Sequence, residues 1–165
     1  MSISRLCSLY STEQMQIGDH VRIDDFSILS GQVMIGSNVH IAAYCALFGT
    51  SGIKLDDFSG LSSRVTIYSV SDDYSGESLT NPTVPVKYRK LDSRPVIVGR
   101  HCIIGSGAVI LPGATLGEGV AVGAMSLVTQ DLEPWNIYSG IPAKRIKKRS
   151  RALLRLENEY LNCLR

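Results

Sequence analysis

The amino-acid sequence predicts an all-β fold in which very short strands wind into a parallel β-helix. The leading observation is a period of six residues, which neither an α-helix nor an alternating β-strand produces. With one eight-residue step and one long gap, an aliphatic side chain keeps this spacing at fifteen positions: Ile17, Ile23, Leu29, Ile35, Ile41, Leu47, Leu55, Leu61, Ile67, Val98, Ile104, Ile110, Leu116, Val122 and Val128. A second aliphatic or small residue stands two positions before each of them, as Val21 does before Ile23.

Short strands joined by tight turns explain both observations. Residues two apart on a strand point to the same face, so each pair is expected to face inward. Glycine directly follows the main aliphatic residue at six of the fifteen positions, where a turn needs a residue without a Cβ atom. Stacked hexapeptide coils bury such residues in a narrow prism, and three hexapeptides per turn predict about five coils. A β-sandwich is the alternative, but its strands do not keep one spacing over so long a stretch.

The interruptions of the repeat divide the chain into three parts. We expect an N-terminal segment at residues 1–16, a β-helix domain at residues 17–133 and a closing segment with a C-terminal α-helix at residues 134–165. Within the β-helix domain, residues 68–95 form an external loop. Long loops inside compact domains are uncommon and often functional, although a tolerated surface insertion is the alternative.

The C-terminal helix is predicted to be amphipathic. Its apolar stripe, at spacings of three and four residues, consists of Leu153, Leu156, Tyr160 and Leu164. A stripe of this kind usually faces a packed surface. We therefore expect it to pack against the prism or a neighbouring subunit rather than to bind a cofactor.

Composition and charge exclude several classes of protein. A net charge of only +2 argues against a protein that coats nucleic acid. No apolar run approaches the roughly 20 residues of a membrane span, and the first residues lack the apolar core of a signal peptide. The four cysteines are widely spaced, without a CxxC pair. Reduced thiols in a cytoplasmic protein are therefore expected, rather than disulfides or a zinc site.

Two motifs near the end of the chain, "VGAMSLVTQDLEPW" and "SGIPAKRIKKR", are distinctive in combination with the repeats and the long loop after Ile67. With them the chain resembles the hexapeptide-repeat acyltransferases, and most of all the galactoside and maltose acetyltransferase branch. The resemblance implies a left-handed β-helix, a homotrimer and acetyl-CoA as co-substrate. The stretches "IYSVSDDYSGESLTNPTVP" and "EPWNIYSGIPAK" resemble acetyltransferases of O-antigen and capsule synthesis, including those that act on nucleotide-linked amino sugars.

The resemblance also implies where the coenzyme A would lie. Its pantetheine arm would pass small residues that a thin chain can approach closely, which fall on Ser106, Ala124 and Thr129. Its phosphates would meet cations of the closing segment, at Lys144 and Lys147 with Lys148 and Arg149 nearby. A solvated basic tail is the alternative for these cations.

The chain departs from the family at the acceptor side of the site. The position of the family's catalytic histidine falls on Asp72, and that of its substrate-binding asparagine falls on Ala42. A hydroxyl acceptor needs a base to take its proton, whereas a fraction of an amine is already unprotonated at neutral pH. The departure therefore favours an amino group on a nucleotide-linked sugar, such as a dTDP-4-amino-4,6-dideoxyhexose, in lipopolysaccharide biosynthesis.

Four residues are candidates for the acceptor side. Asp72 or His40 would accept or relay the proton, and Asp73 and Tyr44 would contact the sugar. A backbone amide would hold the oxyanion. The other two histidines, His20 and His101, follow glycines at coil corners; we expect them to be exposed and without a function.

Three other functions compete with this prediction. One is an O-acetyltransferase that acts on a saccharide hydroxyl with His40 as its base. Another is a β-helix scaffold or binding module without catalysis. The third is a γ-class carbonic anhydrase, which needs three histidine ligands for zinc. Counting along the coils does not bring the three histidines of this chain together, so we expect no metal.

Overall fold

The computed structural model describes residues 1–163 and confirms the predicted parallel β-helix with a C-terminal α-helix. The strands stack on three faces of a prism. Face 1 contains seven parallel strands, at Ser2–Ile3, Arg22–Ile23, His40–Ile41, Gly60–Leu61, Ile103–Ile104, Ala121–Val122 and Asn136–Ser139. An antiparallel strand, Lys144–Lys148, pairs with the last of them.

Faces 2 and 3 share two long strands, Ile28–Ile35 and Ala46–Leu55, which pass around the corner between these faces. Face 2 is completed by Ser8–Tyr10, Thr66–Tyr68, Val109–Ile110 and Leu127–Val128. Face 3 is completed by Gln16–Ile17, Val96–Val98 and Thr115–Leu116, with a single bridge from Leu116 to Leu132. Two short 3-10 helices lie at Thr12–Gln14 and Val86–Tyr88.

The period of six builds the core. Parallel pairing places Ile23, Ile41, Leu61 and Ile104 in one inward column of face 1. Fourteen of the fifteen predicted positions are buried, and Ile17 is half-buried against the same core. Burial of each such side chain contributes about 1.5–3 kcal/mol relative to exposure, which makes this column the main source of stability.

The β-helix begins earlier than the predicted boundary at residue 17. Ile3 pairs with Ile23 and Leu9 pairs with Leu29, so the N-terminal segment forms a first coil together with Ile17. The prism therefore has six coils rather than about five, followed by Asn136–Ser139. The first coil escapes the pattern because its steps, six and then eight residues, are not repeated by any coil before it.

Every insertion into the repeat lies at the corner between faces 2 and 3. The eight-residue steps after Leu9 and Leu47 are found there, and so is the loop of residues 68–95. At the base of the loop, Val70–Asp72 pairs antiparallel with Leu91–Ser93. This short ladder anchors Asp72 close to the edge of face 2.

The C-terminal helix, Leu153–Cys163, packs against the prism as expected. Its Leu153 and Leu156 border a cavity against face 1, and the hydroxyl of Tyr160 donates to the side-chain oxygen of Asn38. Leu164, the last residue of the predicted stripe, lies outside the described residues. Among residues 1–163, no helix has the length and apolar character required to cross a bilayer.

His101 is a correction to the sequence analysis, which expected it to be exposed. It is only 7% exposed and its Nε2 lies 2.9 Å from Oε2 of Glu157 on the C-terminal helix. Phe58 and Trp135 contact its two sides. The period marks His101 as a corner residue, but its cover comes from a helix more than fifty residues further along the chain.

Candidate active site

A column of small residues runs along the corner between faces 1 and 2. This small-residue corner consists of Ala43, Ser63, Ser106 and Ala124. Backbone hydrogen bonds stack them, since the carbonyls of Ala43, Ser63 and Ser106 each accept from the residue one coil further on. With strands about 4.8 Å apart, the column is about 14 Å long.

The small-residue corner presents backbone as well as small side chains. A Cβ atom on Gly105 would collide with the backbone of Ala124, so glycine is required for the coils to stack so closely. Ser106 and Ala124 are exposed, and within residues 1–163 their backbone N–H groups donate no hydrogen bond. A track of free donors at regular intervals fits an extended chain that carries amide carbonyls, as pantetheine does.

Cations lie at the C-terminal end of this column. Lys144 pairs with Ser139 and Lys147 pairs with Ile137, directly above the last coil, and both lysines are exposed. Arg149, by contrast, donates from Nη1 to the carbonyl oxygens of His101, at 2.7 Å, and Gly119, at 3.1 Å. The expectation that Arg149 stands among the phosphate-binding cations is therefore wrong, because its guanidinium already holds two coils together.

His40 and Ser106 border one cavity on face 1, of about 300 Å³, together with Ala42, Ser62 and Ser63. Nε2 of His40 lies 2.8 Å from a carboxylate oxygen of Asp24, whose other oxygen accepts from Nε of Arg22 at 2.7 Å. The hydrogen bond with His40, and after it the one with Arg22, holds the pKa of Asp24 below its usual value. His40 is thus oriented by an ionised carboxylate while half of its side chain remains exposed.

A second cavity, of about 670 Å³, lies under the loop at the corner between faces 2 and 3. Asp72, Asp73 and Thr129 border it together with Arg94. Asp73 accepts hydrogen bonds from the backbone N–H of Ser75 at 2.9 Å and from the hydroxyls of Ser75 and Ser78. These bonds, the backbone one foremost, lower the pKa of Asp73.

Asp72 is much less engaged than its neighbour. Its carboxylate accepts a single long hydrogen bond, 3.3 Å from the backbone nitrogen of Asn81. A carboxylate with so few fixed donors can accept a proton or a hydrogen bond from a ligand. Asp72 is therefore the chemically available group of this cavity, whereas Asp73 shapes the loop.

The predicted site residues form two groups rather than one. Ser106, Ala124 and His40 lie at or near the corner between faces 1 and 2, and Asp72 and Thr129 lie at the other edge of face 2. A single chain does not bring the two groups together. Either group would need a second copy of the chain to supply the other.

Tyr44 sits at the small-residue corner, one residue after Ala43. Its ring stacks on Phe26 at 5.1 Å between centroids, and the guanidinium of Arg64 lies over it at 5.4 Å. Its side chain is half exposed, so it can still contact a ligand in the adjoining groove.

Sequence reasoning missed two members of the face 1 cavity. Ser62 and Ser63 replace the glycine and serine found at Gly105 and Ser106 in the next coil. A hydroxyl in place of glycine at an outward position was the available signal. Asp24 was also missed, because only the pairing of its strand with that of His40 places the two side chains side by side.

No metal centre was found. Among residues 1–163, no group of three or more His, Cys, Asp and Glu side chains is arranged to hold a metal ion.

Comparison with known proteins identifies the family. The family model "Bacterial transferase hexapeptide (six repeats)" matches residues 15–49 and 95–130, on either side of the loop. A dTDP-4-amino-4,6-dideoxy-D-glucose acyltransferase of Escherichia coli is 42% identical over 163 residues, which cover 97% of this chain and 85% of that protein.

Solved structures give the same result. AntD, an N-acyltransferase from Bacillus cereus in complex with dTDP and 3-hydroxybutyryl-CoA, superposes with a TM-score of 0.97 at 48% identity, covering 98% of this chain and 87% of AntD. A galactoside acetyltransferase in complex with coenzyme A shares the fold, with a TM-score of 0.70 at 22% identity over 84% of this chain and 68% of that one. The chain therefore belongs to the bacterial transferase hexapeptide family, and within it to the acyltransferases.

Proposed function

We propose that the protein transfers the acetyl group of acetyl-CoA to the amine of a dTDP-linked 4-amino-4,6-dideoxyhexose, for O-antigen or capsule synthesis. The observation that carries this proposal is the loop cavity, which offers the weakly engaged carboxylate of Asp72 and no histidine among its lining residues. An amine needs only a modest base, whereas a hydroxyl needs a stronger one. AntD has been solved with dTDP-4-amino-4,6-dideoxyglucose and coenzyme A bound, which agrees with such an acceptor.

The proposed active site lies between two copies of the chain in a homotrimer. Face 2 supports this arrangement because its outward residues are largely apolar, as seen at Ile28, Ala46, Phe48, Val109 and Leu127. An apolar face of this extent usually marks an interface. If face 2 of each copy turns towards a three-fold axis, the small-residue corner of one copy meets the loop cavity of the next.

In that groove the reaction needs three roles from the protein. The small-residue corner and its lysines would hold acetyl-CoA, which supplies an acyl thioester. The lone pair of the amine forms the new bond to the carbonyl carbon, the C–S bond breaks, and the sulfur leaves as a thiolate that takes up a proton. A free backbone N–H of the column donates to the oxyanion, and Asp72 accepts the proton that the nitrogen loses. Holding both reactants in one slot supplies much of the rate.

The spacing of two residues in AntD supports the pairing of the two groups. Its solved variants include changes at one serine and one aspartate that are ten positions apart in its sequence. In this chain Ser62 and Asp72 have that separation, as do Ser63 and Asp73. Ser62 lies in the face 1 cavity and Asp72 in the loop cavity, so the two would meet only across a subunit boundary.

The test is thiol release from acetyl-CoA with dTDP-4-amino sugars and with plain saccharides as acceptors. We expect release with the amino sugars, and we expect Asp72→Asn to lower kcat by about 100-fold without changing the KM for acetyl-CoA. Asp73→Asn is the matched control and should lose far less. Full activity of Asp72→Asn would show that side-chain base catalysis by this residue is wrong.

An O-acetyltransferase is the second candidate, because His40 is oriented by Asp24 as a general base would be. It predicts release with hydroxyl acceptors and loss of that release in His40→Ala. We further propose that the reaction takes place in the cytoplasm, where the four free cysteines would stay reduced.

A further inference from the structure

A cavity on face 3 gathers most of the glutamines of the chain. This glutamine cavity, of about 450 Å³, is bordered by Gln14, Gln16, Gln32, Met34, Gly52, Ile53, Lys54, Pro95, Val96 and Ile97. The whole sequence contains four glutamines, and three of them lie here. Such a concentration in a repeat whose other outward positions vary calls for an explanation by a ligand.

The floor of the cavity is apolar and its walls carry the amides. Parallel pairing places Gln16 beside Met34, Met34 beside Lys54, and Lys54 beside Ile97. Met34 and Ile97 are about 40% exposed, which leaves a flat hydrocarbon surface between the polar groups.

The amides are available. Among residues 1–163, the side chains of Gln16 and Gln32 make no hydrogen bond, and Gln14 makes one weak bond of 3.4 Å to Glu13. No carboxylate borders the cavity, and its only charged group, Lys54, is already paired with Asp56 at 2.8 Å. The cavity therefore suits a flat neutral group rather than a phosphate.

A pyrimidine base has the matching chemistry. The Watson–Crick edge of thymine or uracil presents an acceptor, a donor and an acceptor in a row, and a glutamine amide offers one donor and one acceptor side by side. An apolar floor can pack against the face of the ring. A volume of about 450 Å³ lies in the usual range for small-molecule sites and leaves room for the attached sugar.

The position of the cavity connects it with the loop cavity. Pro95 borders the glutamine cavity, and its chain neighbour Arg94 borders the loop cavity together with Asp72. An extended nucleotide sugar could therefore place its base on one side of this segment and its amine on the other. Its diphosphate would cross beside the guanidinium of Arg94, which now pairs with Asp92 at 2.6 Å.

We propose that the glutamine cavity holds the pyrimidine nucleoside of the acceptor, with Gln16 and Gln32 reading the edge of the base. The proposal rests on the proposed function, because the acceptor is taken to be linked to a nucleotide. It adds the location and the chemistry of the nucleoside subsite.

The test measures binding of dTDP and, separately, of coenzyme A by calorimetry to the wild type, Gln16→Leu, Gln32→Leu and Gln130→Leu. Gln130 is the fourth glutamine and lies outside the cavity, so its variant is the matched control. We expect each cavity variant to weaken dTDP binding at least about tenfold, which is about 1.4 kcal/mol, with unchanged affinity for coenzyme A. In steady-state kinetics the KM for the acceptor should rise while kcat changes little.

Three outcomes would overturn the proposal, and they separate it from the proposed function. Unchanged dTDP affinity in both cavity variants, with acyl transfer intact, would show that the nucleoside binds elsewhere. Equal weakening by Gln130→Leu would remove the claim of a specific site. Binding of coenzyme A to the wild type without any binding of dTDP would contradict the nucleotide-linked acceptor itself.

Discussion

The two corners that flank face 1 have similar backbones and opposite surfaces. At the small-residue corner, coils turn through left-handed residues such as Arg64 and Met125, at φ 63° and 56°. At the other corner, between faces 3 and 1, they turn through Phe58, His101 and Trp135, at φ 57° to 59°. We call this second set, with Asn38, the aromatic corner. One corner is open and the other is covered by the C-terminal helix.

Side-chain size accounts for the difference. At the aromatic corner the rings of Phe58 and His101 stack at 5.3 Å, and Trp135 leans over Gly119, where any Cβ atom would collide with the indole. Glu157 of the helix pairs with both His101 and Arg100. At the small-residue corner there is no ring column to carry a helix next to Ser106, and backbone donors remain open. The same coil edge therefore serves stability at one corner and ligand binding at the other.

Removing the acid that fastens the helix should give the largest effect. Glu157→Ala leaves His101 buried beside Arg100 without its carboxylate, and we expect the free energy of unfolding to fall by about 3 kcal/mol. Urea unfolding measures it. Glu159→Ala, which removes an exposed pairing with Arg155, should change stability by less than about 0.5 kcal/mol. Equal effects of the two variants would show that the aromatic corner does not hold the helix.

Filling the open corner should harm binding without harming the fold. Ala124→Trp would block the column of small residues, and we expect the Kd of acetyl-CoA to rise about 100-fold with little change in thermal stability. Thr115→Trp, at an exposed position of face 3, is the control. Unaltered affinity in Ala124→Trp would mean that the pantetheine arm takes another course.

Removing the cations above the column should have a smaller effect. Lys144→Ala and Lys147→Ala together should weaken coenzyme A about tenfold, and the difference between coenzyme A and dephospho-coenzyme A should shrink if these lysines meet its 3′-phosphate. Calorimetry at two salt concentrations measures both. Lys87→Ala, in the external loop where the ammonium lies over Tyr88, should leave coenzyme A affinity unchanged. Equal loss for both forms of the coenzyme would contradict a contact with that phosphate.

The sequence predicted the repeating part of this fold well and its ends poorly. Fourteen inward positions could be read from the period because each coil repeats the same physical requirement. Ile3 and Tyr138 also face the core, but the first precedes any repeat and the second is an aromatic residue in an aliphatic column. The burial of His101 could not be predicted, since it depends on Glu157 and Trp135, which only the folded chain brings near.

The candidate site was predicted in parts. Resemblance placed Asp72, Ser106 and Ala124 on the chain, but only the structure shows that Asp72 and Ser106 lie at opposite edges of face 2. Sequence reasoning also gave no warning of the glutamine cavity, because Gln16 and Gln32 are sixteen residues apart and meet through strand pairing.

Activity of mixed trimers tests most directly whether the groove is built from two chains. Asp72→Asn and Ala124→Trp are co-expressed with different tags, and trimers that carry both tags are isolated and assayed for acetyl transfer. If one copy supplies Asp72 and its neighbour supplies the small-residue corner, random mixing restores about a quarter of wild-type activity, since some grooves then contain two intact halves. Mixed trimers as inactive as the two parent variants would contradict a shared groove and place the whole reaction within one chain.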